Sequence, residues 1–162
     1  MASPISDPSF ACVVIDSKHI KCFGKNKDGV FLQINDEDVI GRYGILETKP
    51  LNLGNFDSII DLSVSMNPSS ETALCAVLEV NQTNVIKCWG NSFRYNYSQL
   101  GTNQNIVLNH WNSTIQGDNI PTLPFFPPSN PRYVSLGDDF ACTLLEDGTI
   151  YCTPTIYEAD IQ

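Results

Sequence analysis

The chain has 162 residues, 42% of them hydrophobic, with 18 acidic and 9 basic side chains and a net charge of −9. That is enough chain and enough apolar content for one domain with a real core, which excludes an intrinsically disordered segment. The acidic balance and the absence of a lysine/arginine run disfavour nucleic-acid binding, and no apolar run approaches membrane-spanning length.

Residues 1–9 read as a short polar arm with prolines at Pro4 and Pro8. They lack both the basic start and the apolar stretch of a secretory signal. The segment 10–24 then gives the first of three related hairpins, Phe10-Ala-Cys12 leading to Cys22-Phe23-Gly24. The second spans 73–90, from Ala73-Leu-Cys75 to Cys88-Trp89-Gly90, and the third spans 140–152, from Phe140-Ala-Cys142 to Tyr151-Cys152. Such self-similarity is the primary fold signal in this chain.

Residues facing each other in a hairpin have a constant index sum, so the cysteine positions constrain each turn. Cys142 opposite Cys152 demands an odd loop, and Glu146-Asp147-Gly148 fits, with Gly148 supplying the left-handed conformation. Leu144 then opposes Ile150 on the cysteine face. The first hairpin has the same spacing and places Cys12, Val14, Ile20 and Cys22 on one face around Asp16-Ser17-Lys18. The second requires an even loop. Val80-Asn81-Gln82-Thr83 fits, with Cys75, Val77, Ile86 and Cys88 on one face.

Cysteines opposed at a non-hydrogen-bonded pair are close enough for a disulfide. The expected bonds are Cys12–Cys22, Cys75–Cys88 and Cys142–Cys152, each adding about 2–3 kcal/mol by restricting the unfolded chain. The same register also suits three pairs of buried thiols. The disulfide reading is preferred because the pairing recurs and leaves no odd cysteine. No metal is expected: there is no Cys-x-x-Cys, and neither His19 nor His110 stands at ligand spacing from a cysteine pair.

Between the first two hairpins, Lys25–Gly29 reads as a turn. Asn35-Asp36-Glu37-Asp38 reads as a solvated acidic loop, lacking the spacing and glycine of a calcium loop. Gly41-Arg-Tyr-Gly44 and Lys49-Pro50 bound a short extended piece. Ile59–Val64 and Arg132–Gly137 each read as a strand leading into the following hairpin, and nothing equivalent precedes the first. No stretch has the periodicity of an amphipathic helix.

Residues 91–131 form a long irregular insertion with Arg94 and Asp118 as its charged side chains. Its asparagines and aromatics resemble the composition of binding loops. Tyr95, Tyr97, Trp111, Phe125 and Phe126 are the candidate interaction residues. An alternative role is to cover a sheet edge that would otherwise be exposed. Three sequons, at Asn81, Asn96 and Asn112, are candidate glycosylation sites and agree with an oxidising compartment.

The third hairpin resembles the repeat of the regulator of chromosome condensation family. So does Ile86-Lys-Cys-Trp-Gly-Asn91 followed by Ser98-Gln99-Leu100-Gly101, which is similar to that repeat's tryptophan-glycine and glutamine-leucine-glycine signatures. The cysteine-bearing form is similar to extracellular members. The resemblance covers 10–26, 59–101 and 132–152, about half the chain. It implies an all-β fold of four-stranded propeller blades, usually seven. This chain holds too few repeats to close such a ring. The expectation is one domain over 1–162, an open, partial β-propeller of two to three blades built from repeated antiparallel hairpins. Its open edges would be covered by the insertion, by another copy or by a larger assembly.

The leading functional expectation is a non-enzymatic protein-interaction or structural subunit of an extracellular or particle-surface assembly, needing no cofactor. Its partners would be proteins, including other copies or a larger complex. The resemblance offers a regulatory module of guanine-nucleotide-exchange type on a small GTPase. That activity depends on a complete propeller face, and no residue of that face is matched here. A secreted inhibitor or receptor ectodomain fragment is a further alternative, and a reduced cytoplasmic protein is the alternative localisation. Neither histidine lies in a catalytic motif, and no Gly-x-Ser-x-Gly or phosphate-binding loop occurs. Asp138-Asp139 reads as a solvated turn rather than a pair of catalytic carboxylates.

Overall fold

The structure, a computed structural model, describes residues 10–25, 39–40, 48–66, 72–90, 117–120, 122, 130–137 and 141–153. These residues are all-β. Three antiparallel sheets of three strands account for nearly all of the regular structure. The single helical element among them is a 3-10 turn at Gly117–Asn119.

The first sheet contains β1 (Phe10–Ile15), β2 (His19–Lys25) and β3 (Val39–Ile40). The second contains β4 (Ser58–Met66), β5 (Thr72–Val80) and β6 (Thr83–Gly90). The third contains β7 (Pro131–Leu136), β8 (Ala141–Leu145) and β9 (Ile150–Thr153). The expected leading strands are present as β4 and β7. The first sheet has a different third strand: β3 comes after the hairpin and pairs with β2, whereas β4 and β7 pair with the opposite arm of theirs.

The hairpin registers agree with the parity argument. Cys12 opposes Cys22 and Val14 opposes Ile20. Cys75 opposes Cys88 and Val77 opposes Ile86. Cys142 opposes Cys152 and Leu144 opposes Ile150. The first turn is Asp16-Ser17-Lys18, with Asp16 and Ser17 at positive φ and the Lys18 N–H donating to the Ile15 carbonyl. In the third turn, Gly148 has φ +86° and its N–H donates to the Leu145 carbonyl. The second turn is shorter than the four residues expected. Val80 and Thr83 pair across it, and only Asn81 and Gln82, at φ 50° and 64°, form the bend. Two left-handed residues match the right-handed twist of the flanking strands, so the ladder runs further than a four-residue loop would allow.

The sheets stack face against face. The cysteine face of the first, through Ile20 and Cys22, packs on Leu74, Ala76, Leu78 and Trp89, the opposite face of the second. The cysteine face of the second, through Cys75, Val77, Ile86 and Cys88, packs on Val134 and Leu136 of the third. The middle hairpin is therefore apolar on both sides and supplies half of the buried hydrophobic residues among those described.

Candidate interaction surfaces

All six cysteines are paired, as Cys12–Cys22, Cys75–Cys88 and Cys142–Cys152, with Cα atoms 4.0–4.1 Å apart. Bonds of this kind persist in oxidising, extracellular-type environments. No described helix is long and apolar enough to cross a membrane. Among the described residues no cluster of three or more histidine, cysteine or acidic side chains could hold a metal.

The ends of the stack are its most unusual surfaces. Counting from the first cysteine of each hairpin, Val13 and Ile15 of the first sheet occupy the positions of Ala76 and Leu78 in the second, and Phe23 occupies that of Trp89. In the second sheet these positions are closed: Trp89 is 1% exposed and Ala76 0%. In the first sheet they face outward, with Phe23 at 36% and Val13 at 40%. The third sheet presents the reverse case. Ile150 stands where Ile20 and Ile86 stand in the other hairpins; those two are each 1% exposed, whereas Ile150 is 67% exposed. Tyr133 and Cys152 are also exposed on that side. The Arg132 guanidinium lies 5.9 Å from the centre of the Tyr133 ring, within cation–π range.

Edges are treated differently from faces. The outer N–H groups of β7 are taken up by side chains of β4. The Val134 N–H donates to Asp61 Oδ2 at 2.9 Å and the Leu136 N–H to Ser63 Oγ at 3.1 Å. The edge of β6 meets residue 122, through an antiparallel bridge between Lys87 and Thr122. At that one pair a described residue of the insertion lies along the β6 edge.

Lys87 holds that region together. Its ammonium donates to the carbonyls of Leu53 at 2.7 Å and Gly117 at 3.1 Å. Its pKa is lowered, chiefly by burial, with the charge of Asp118 acting in the opposite direction. Asp118 in turn accepts from the backbone and side-chain nitrogens of Asn55 at 2.8 and 2.9 Å. The sequence offered no signal for this buried lysine, because it alternates with Ile86 and Cys88 as an ordinary solvent-facing strand residue would.

The aromatic candidates Tyr95, Tyr97, Trp111, Phe125 and Phe126, the sequons at Asn96 and Asn112, and Asp138-Asp139 lie outside the described residues. Asn81 is exposed at the tip of the second hairpin, and its backbone N–H donates to Asp57 Oδ2 at 2.7 Å. His19 flanks the first turn on the surface, its Nδ1 2.9 Å from Asp16 Oδ1. Comparison of the sequence with protein-family models and with characterised proteins gives no match.

Proposed function

We propose that the chain is a non-enzymatic protein-interaction or structural subunit of an extracellular or particle-surface assembly. The observation that carries this reading is the pair of open sheet faces. Val13, Ile15 and Phe23 face outward at one end of the stack and Ile150 with Tyr133 at the other. Contiguous apolar side chains of this kind mark surfaces that another protein covers. Three disulfides support an oxidising location, and the exposed Asn81 sequon supports glycosylation there. The resemblance to the chromosome-condensation-regulator repeat and the face-to-face stacking favour a partial propeller, in which each sheet is a blade.

Hydroxyl-radical footprinting compares material from the natural source with the isolated chain. Protection of Phe23, Tyr133 or Ile150 in the native material is the expected result. Equal labelling of all three in both samples overturns the reading. Mass analysis of the same native material reads the disulfides and any glycan on Asn81.

A further inference from the structure

The chain contains one face-to-face relation twice, received by Leu74, Ala76, Leu78 and Trp89 of β5 and β6 in the first case and by Val134 and Leu136 of β7 in the second. Each time, the cysteine face of one sheet meets the opposite face of the next, first to second and then second to third. Among the described residues, one half of that interface is open at each end of the stack. Among the described residues no sheet lies against the cysteine face of the third, where Ile150 is 67% exposed, or against the opposite face of the first, where Val13 is 40% exposed.

We propose that these two faces bind each other between copies, so that the third sheet of one molecule packs on the first sheet of the next. This rests on the interaction reading and names the partner as a second copy of this chain. The match follows from register. Ile150 would take the role that Ile20 and Ile86 play inside the molecule, where both are sealed by the following sheet. Val13, Ile15 and Phe23 would take the role of Ala76, Leu78 and Trp89, which receive such a face. The contact is heterologous, because the two patches differ, and it therefore propagates as a ring or an open stack rather than stopping at a symmetric dimer.

The test uses the full oxidised chain in sedimentation velocity over a wide concentration series. It includes the unmodified protein, Val13→Asp, Ile150→Asp and an equimolar mixture of the two variants. Val13 and Ile150 are partly or largely exposed, so each variant should keep its three disulfides and its β-sheet circular dichroism. If Val13→Asp fails to fold, Ile15→Asp replaces it on the same face. The expected result is oligomers that grow with concentration for the unmodified chain and monomers for each variant alone. The mixture should give a one-to-one dimer, because it retains a single intact pair of faces. An unmodified chain that stays monomeric overturns the proposal. So does oligomerisation that survives either substitution, or a mixture that behaves as its separate components. If self-association fails while native material still protects these faces, the second copy is the wrong occupant and the interaction reading stands. Faces fully labelled in native material overturn the interaction reading itself.

Discussion

The Lys87 ammonium donates to the carbonyl oxygen of Leu53 at 2.7 Å. The same group reaches Gly117, so one side chain joins β6 to two separate loops. Lys87→Met keeps the length and apolar stem but leaves both carbonyls without this donor. The expected loss is about 1–3 kcal/mol, read by urea unfolding. The pH dependence has a definite sign. A lysine whose pKa is lower in the folded state binds its proton more weakly than in the unfolded chain. Between the lowered value and the ordinary 10.5, the unfolded state therefore holds more protons, and stability rises with pH. The stability difference between the unmodified protein and Lys87→Met should grow in favour of the unmodified protein as pH rises through that alkaline window. A constant difference would show that burial does not perturb this amine.

The three disulfides close short loops with sequence separations of 10, 13 and 10, so their effects on the unfolded chain are similar. Their surroundings differ. Cys75 and Cys88 sit between two sheets, whereas Cys152 is exposed. Replacing Cys75 and Cys88 by alanine should cost the loop-closure contribution of about 2–3 kcal/mol plus a cavity term. Replacing Cys142 and Cys152 should cost the first contribution with little of the second. Under a mild reductant the Cys142–Cys152 bond should open first, because a thiolate can reach it. Alkylation and mass mapping over time check the order.

The edge of β7 gives a residue-specific readout. Asp61→Ala removes the acceptor for the Val134 N–H, while Asp61→Asn retains a side-chain oxygen. Hydrogen exchange at the Val134 amide should accelerate in the alanine variant and change little in the asparagine variant. The expected stability loss for alanine is about 1–2 kcal/mol. Unchanged exchange at Val134 in both variants would mean that another group covers the edge.

Gly54 and Gly148 separate conformation from space. Their φ angles are close, +88° and +86°. A Cβ on Gly54 would collide with the Asp118 carboxylate and lie 2.6 Å from the Asp118 backbone nitrogen, whereas a Cβ on Gly148 meets nothing within 4 Å. Gly148→Ala should therefore cost only the left-handed backbone penalty, about 1 kcal/mol. Gly54→Ala should cost more and also displace Asp118 from Asn55. Thermal unfolding of the two variants side by side reads the difference, and equal losses would rule out the steric part.

The hairpins were legible because a cysteine pair fixes the parity of a turn. Once Cys142 faces Cys152, the positions of Leu144, Ile150 and Gly148 follow, and the structure places all three there. The order of stacking was not legible. Ala73 through Leu78 is apolar at every position, so period-two patterning could not say which side of β5 meets which neighbour. The location of Lys87 depends on carbonyls at 53 and 117, far away in sequence, and no local pattern encodes such a contact. The short third strand Val39–Ile40 has only two residues, too few to carry a periodic signal.

The second hairpin turn makes the last prediction. Asn81 and Gln82 both hold positive φ, the two-residue arrangement that favours asparagine followed by glycine. Asparagine tolerates the left-handed region well, but glutamine has a Cβ and no short side chain to offset it. Gln82→Gly should therefore stabilise the protein by about 0.5–1 kcal/mol, despite the greater freedom glycine gives the unfolded chain. The substitution keeps the Asn81 sequon, whose third residue is Thr83, and leaves the exposed Asn81 side chain in place. Urea unfolding checks the gain. A loss instead would mean that the entropy of glycine in the unfolded state outweighs the strain relieved at φ 64°, and that this turn, unlike the one at Gly148, does not require glycine.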